Sequence, residues 1–215
     1  MNKIAPSMLD CDFTRLGEEL RRVEQAGAFV IHLDIMDGVF VPAMTFGDRI
    51  CAAANRVTDL PLDVHLMVQK PLNFIQGFAD AGADYITVHA ESDEPLAAIR
   101  EINRLGLTAG LSVKPNTPFD AILQFLDEVG LALIMTVEPG KGGQAFMPDM
   151  LAKVSAIKNA AHLRGKENLV VSIDGGVNPT NAASAIAAGA DWLVAGSCLF
   201  KSGDLNGVMT GLQNA

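Results

Sequence analysis

Eight short runs of aliphatic and β-branched residues recur along the chain, and stretches with helical spacing separate them. The runs are Ile4–Ser7, Phe29–Asp34, Leu62–His65, Tyr85–His89, Thr108–Val113, Leu131–Thr136, Leu169–Ile173 and Trp192–Ala195. Several are apolar without a break, the pattern of strands covered on both faces. Between them, Leu16, Leu20 and Val23 recur at helical spacing, as do Leu96, Ile99, Ile102 and Leu105. Gly27, Gly82, Gly106, Gly130 and Gly189 each precede a new run, where a left-handed residue can end a helix. Thr117-Pro118 and Asn178-Pro179 predict helix starts, with a capping residue ahead of a proline. Pro6 limits the pairing open to the first run. Eight strand-helix units in 215 residues predict an α/β fold, a closed TIM (β/α)8 barrel forming one catalytic domain over residues 1–215. An open doubly wound sheet is the alternative, but the Gly-x-Gly-x-x-Gly expected after its first strand is absent.

Composition narrows the function. Hydrophobic residues make up 49% of the chain, enough for a full core, so global disorder is excluded. With 25 acidic against 16 basic residues the net charge is −9, which argues against nucleic acid and anionic membrane surfaces as partners. A small anionic ligand stays possible, because a local site can oppose the global charge. The start, Met-Asn-Lys-Ile-Ala-Pro-Ser, lacks the apolar stretch of a signal peptide, and no run reaches a membrane-spanning length. Cys11, Cys51 and Cys198 form no Cys-x-x-Cys pair and read as inert thiols in a reducing compartment. A cytoplasmic location is expected.

In such a barrel the chemistry gathers at the C-terminal ends of the strands. His32 and Asp34 end the second run and, two residues apart, point the same way. His65 ends the third and Asp174 the seventh, so the four can meet at the mouth as a divalent-metal set. Gly142-Gly143, Gly175-Gly176 and Gly196-Ser197 follow the sixth, seventh and eighth runs, where bare backbone can approach a phosphate. Met36, Met67 and Met135 are either core or a soft lining of the mouth. His89 could support a ligand from behind or face the substrate, but reads first as a satisfied structural histidine; His162 reads as solvated.

These segments closely resemble the ribulose-phosphate 3-epimerase family from Ile4-Ala5-Pro6-Ser7 to Gly196-Ser197. The match is carried by His32-Leu33-Asp34-Ile35-Met36-Asp37-Gly38, Phe40-Val41-Pro42, Asp63-Val64-His65-Leu66-Met67-Val68, Met135-Thr136-Val137-Glu138-Pro139-Gly140, Gly142-Gly143-Gln144 and Asp174-Gly175-Gly176-Val177. The resemblance implies interconversion of D-ribulose 5-phosphate and D-xylulose 5-phosphate in the pentose phosphate pathway. It implies one divalent metal ion (Zn, Fe, Mn or Co) on His32, Asp34, His65 and Asp174, with Asp34 and Asp174 also the acid/base pair. Ser7, His65, Gly140, Lys141, Gly142, Gly143, Asp174, Gly175, Gly176, Gly196 and Ser197 would contact the substrate. Lys141 stands where the family usually carries Phe, so packing on the substrate there is open. A small phosphosugar and further copies of the chain are the expected partners. An allulose-6-phosphate 3-epimerase and a catalytically silent phosphosugar-binding protein are the alternatives. The Asp-x-Lys-x-x-Asp pattern of a related decarboxylase is missing, since Asp34-Ile35-Met36-Asp37 has no lysine.

Overall fold

All eight runs become parallel strands of one sheet in the computed structural model, which describes every residue from Met1 to Ala215. The strands are β1 (Lys3–Pro6), β2 (Ile31–Met36), β3 (Leu62–Met67), β4 (Tyr85–His89), β5 (Thr108–Val113), β6 (Leu131–Met135), β7 (Val170–Asp174) and β8 (Trp192–Ala195). Their spatial order is β1-β8-β7-β6-β5-β4-β3-β2. The barrel closes between β1 and β2 through a short seam. There Ser7 bridges His32 and the Phe29 N–H donates to the Ile4 carbonyl at 2.9 Å. Pro6, two residues beyond Ile4, turns its missing N–H toward this seam, so it removes no bond from the β1–β8 ladder, in which it pairs with Ala195.

Helices α1 (Leu16–Gln25), α2 (Asp48–Asn55), α3 (Ile75–Asp80), α4 (Pro95–Arg104), α5 (Asp120–Leu123), α6 (Leu151–Leu163), α7 (Ala182–Ala187), α8 (Ser197–Phe200) and α9 (Leu205–Gln213) lie between and after the strands. None is long and apolar enough to cross a membrane. Gly27, Gly82, Gly106 and Gly189 do take positive φ past the ends of helices. Gly130 does not; a Cβ there would lie 2.6 Å from Thr108 Cγ2, so close approach to β5 demands its glycine. The two proline-marked helix starts also fall elsewhere, since α5 begins at Asp120 and α7 at Ala182. Thr117 instead donates its hydroxyl to Glu91, and Asn178 Oδ1 accepts the Thr180 N–H at 2.9 Å in a local turn. Short polar side chains satisfy loop backbone as readily as helix ends.

Two packed layers follow from strand alternation. Outward residues such as Leu33, Val64, Ile86, Leu111, Ile134 and Ile173 pack against Leu20, Phe78, Ile99, Ile102, Val154 and Ile157 of the helices. Inward residues fill the lumen, and they divide by strand. Leu131, Leu133, Met135, Trp192 and Val194 make an apolar wall from β6 and β8. His32, Asp34, Asp63, His65, Thr87, His89 and Ser112 make a buried polar wall from β2 to β5. The outward layer carries stability without touching the lumen's chemistry. Leu111→Ala is expected to cost about 2–5 kcal/mol. Urea denaturation would show it as a lowered midpoint with an unchanged slope.

Candidate active site

The strand register brings the polar residues together at the C-terminal mouth. His32 lies beside Asp63 and Asp34 beside His65 across the β2–β3 ladder. Asp174 ends β7, separated from β2 around the barrel by β8 and β1. One ligand atom from each of His32, Asp34, His65 and Asp174 falls within 4.8 Å of the others. Asp34 Oδ1 lies 3.3 Å from His32 Nε2 and 3.2 Å from His65 Nδ1. Asp174 Oδ2 lies 3.9 Å and 3.6 Å from the same two nitrogens. Metal–ligand bonds of about 2.1 Å set tetrahedral neighbours about 3.4 Å apart, so these separations suit one shared cation.

The donors fit that cation in chemistry as well. The buried His32 Nε2 makes no hydrogen bond, although two carboxylates face it. Its other nitrogen, Nδ1, meets Asp63 Oδ2 at 2.7 Å, which leaves the Nε2 lone pair for a metal. Two carboxylates and two neutral imidazoles balance a divalent charge, and the set suits zinc, iron, manganese or cobalt. Ser7 donates its hydroxyl to Asp34 Oδ2 at 2.5 Å, fixing that carboxylate from the far side. Burial alone would push the His32 imidazole down, but Asp34 and Asp63 outweigh it and hold His32 well above its ordinary value. His65 is likewise raised, against burial, by Asp174 and Asp34. Burial would raise the Asp34 carboxyl, yet the two imidazoles hold it far below its usual range. Without a metal, protons on the imidazoles supply the positive charge that the carboxylates demand.

Above this cluster opens a pocket that collects most of the expected residues: Ser7, Asp34, Gly140, Lys141, Gly142, Gly143, Asp174, Gly175, Gly176, Gly196 and Ser197. His32 and His65 are wholly buried and do not line it; they act from behind the carboxylates. Met36, Met67 and Met135 are both buried and lining, so the two readings of the methionines hold together. Gly175 and Gly176 have φ of +119° and +67°, and a Cβ on Gly176 would sit 2.6 Å from the Phe146 backbone nitrogen. No other residue fits there. The N–H groups of Gly175, Gly176 and Gly196 donate to no backbone carbonyl, which leaves them free to meet an anion. The loop carrying Lys141 is stapled, because the Gln144 amide donates to the Glu138 and Lys141 carbonyls at 2.6 and 2.7 Å. Lys141 itself is exposed.

Several residues of the site carried no role in the sequence reading. Asp63 is one, although it shares His65's strand face by the same two-residue spacing that paired His32 with Asp34. His89 is satisfied, as expected, but its partner is His65, with 2.8 Å between their Nε2 atoms. Burial pushes His89 down to about 4 despite the adjacent Glu91. Burial would raise Glu91, but hydrogen bonds from His89, Thr117 and the Lys114 amide hold it at about 2. Asp10 lines the pocket beside Gly142 and Gly196 and is neutralised by Lys201 at 2.5 Å. Asp37 accepts the N–H groups of Val39, Phe40 and Gln69, all at 2.8 Å, and so shapes the loop after β2. His162 is exposed and meets Glu167. The thiols are inert, with burial pushing Cys11 and Cys51 up to about 12 and Cys198 to about 11.

Comparison with known proteins agrees with this geometry. The ribulose-phosphate 3 epimerase family profile matches residues 3–200. The chain is 47% identical to the ribulose-phosphate 3-epimerase of Bacillus subtilis, over 95% of this chain and 94% of that one. It is 43% identical to the chloroplastic ribulose-5-phosphate-3-epimerase of Arabidopsis thaliana, over 98% of this chain and 75% of that one. Among solved structures, 3-hexulose-6-phosphate synthase superposes with a TM-score of 0.71 over 99% of this chain and 98% of that one, at 17% identity. That likeness speaks for the fold.

A metal must displace the protons that the raised imidazoles hold. Metal affinity is therefore expected to fall as pH falls through the neutral range, as protons reclaim His32 and His65. Zinc added to chelator-stripped protein at neutral pH should release protons, read with an indicator dye. Affinity that is flat with pH would contradict this electrostatic account.

Proposed function

The chain belongs to the ribulose-phosphate 3-epimerase family, and we propose that it interconverts D-ribulose 5-phosphate and D-xylulose 5-phosphate by proton transfer at C3 between Asp34 and Asp174. The observation that carries this reading is the meeting of two carboxylates, from strands on different sides of the barrel, at the floor of one pocket. The C3 proton of the ketose is acidic because C2 is a carbonyl. One carboxylate removes it from one face, leaving a planar enediolate. The other returns a proton to the opposite face and inverts the centre. The Ser7 hydroxyl and the two imidazoles keep Asp34 in its charged form, the form that can accept a proton. A bound divalent ion supplies Lewis-acid stabilisation of the charge developing on the substrate oxygens.

Met36, Met67 and Met135 wall the reacting carbon with low-polarity surface that keeps water away and strengthens the charges around it. The amides of Gly175, Gly176 and Gly196 take the phosphate, and that remote binding positions C3 between the carboxylates. The three free thiols support a reducing, cytoplasmic setting. A groove lined by Met44, Phe46 and Phe74, with Phe13 against Phe46, supports self-association of the chain.

Turnover in heavy water is expected to place deuterium at C3 of the product. Asp34→Asn and Asp174→Asn should each lose about a thousandfold or more in rate, in both directions. Product without solvent hydrogen at C3, or substantial turnover by either variant, would remove the two-base scheme.

Lys141 stands exposed at the pocket rim of a chain of net charge −9, where it can attract a dianionic substrate. A charge in that position is worth roughly 1 kcal/mol and is screened by salt. Lys141→Phe is expected to leave kcat within a few-fold and to raise KM by up to about tenfold at low salt. The difference should shrink as ionic strength rises. A collapse of kcat would mean that Lys141 contacts the transition state instead.

A further inference from the structure

The two candidate metal-ligating histidines are held in different ways. His32 Nδ1 rests directly on a carboxylate, Asp63. His65 reaches a carboxylate only through a second histidine. Its Nε2 lies 2.8 Å from His89 Nε2, and His89 Nδ1 lies 3.3 Å from Glu91 Oε2. The His65 and His89 rings are stacked, with centroids 5.0 Å apart. Phe40 covers His89 at 4.8 Å, with Lys114 Nζ on the Phe40 ring at 3.8 Å.

We propose that Glu91 and His89 are positioning residues of the metal centre, a directional hydrogen-bond relay that keeps the lone pair of His65 Nδ1 turned toward the metal. The direction is set at the outer end. Glu91 Oε1 accepts the Lys114 N–H at 2.8 Å and the Thr117 hydroxyl, which leaves Oε2 for His89. A carboxylate only accepts, so His89 Nδ1 carries the proton and His89 Nε2 is the acceptor. His65 Nε2 must then be the donor, so in the neutral ring that binds a metal the lone pair is on Nδ1, the atom facing Asp34 and Asp174. This inference rests on the metal reading above, and it adds two residues that lie outside the ligand set.

The test is metal binding rather than turnover. Chelator-stripped wild-type protein and the variants His89→Phe, His89→Gln and Glu91→Gln would be titrated with Co2+, following the visible spectrum and competition with a chelator. His89→Phe removes the acceptor and should weaken Co2+ binding by about 10–100-fold with an altered spectrum. His89→Gln, whose amide oxygen can accept from His65 Nε2–H, should recover most of the affinity. In Glu91→Gln the Lys114 and Thr117 donors hold the amide oxygen, so its NH2 group faces the His89 donor and should weaken binding several-fold or more. Wild-type affinity and spectrum in Glu91→Gln, or His89→Gln binding as weakly as a folded His89→Phe, overturns the relay. If His89→Phe fails to fold, Glu91→Gln alone decides. A wild-type chain that takes up neither Co2+ nor Zn2+ overturns the metal reading and the relay together.

Discussion

Charge buried at the mouth of the barrel has to be paired, and much of the polar architecture follows from that constraint. Asp34 and Asp63 are almost wholly buried, and so are His32, His65 and His89. Isolated, any one of these groups would be prohibitively costly to take out of water when ionised. Together they compensate one another, and the outermost members are anchored by backbone or hydroxyl donors. Asp34 leans on Ser7, and Glu91 on the Lys114 amide and Thr117. A divalent ion would complete this balance, since two carboxylates and two neutral imidazoles fit its charge.

The division of the lumen serves the same end. The polar wall of β2 to β5 supplies ligands and their supports, while β6 and β8 contribute Leu131, Leu133, Trp192 and Val194. An apolar wall opposite a charged one lowers the local dielectric and leaves the carboxylates few competing partners. Asp174 alone of the four candidate ligands comes from the far side, at the end of β7, which gives the pocket two carboxylates on different walls. At the other end, glycines after β7 and β8 leave bare amides where phosphate charge would lie.

The fold was largely legible because each strand is a local event. Unbroken aliphatic runs have one good use in a chain of this size, and β4, β5 and β8 have the limits that their residues suggested. The end of β3 was harder: the run reads as ending at His65, but Leu66 pairs with both β2 and β4 and Met67 with β2, so the strand runs on. The helix starts at Thr117-Pro118 and Asn178-Pro179 were misplaced because a capping side chain is equally at home in a turn: Glu91, distant in sequence, holds Thr117, and Asn178 bonds locally to Thr180.

His32, Asp34, His65 and Asp174 could be grouped from sequence alone, because side-chain parity along a strand and the functional end of a barrel are both readable from spacing. Those same rules determined the strand-helix order and the position of the glycine loops. Sequence could not choose the partners of each ring nitrogen. Asp63 behind His32, His89 and Glu91 behind His65, and Asp10 paired with Lys201 at the pocket are contacts between residues 24, 31 or 191 positions apart, or between neighbours whose directions only packing sets. Strand periodicity fixes which way a side chain points, whereas hydrogen-bond partnership depends on distances of tenths of an ångström, and only the closed barrel sets those.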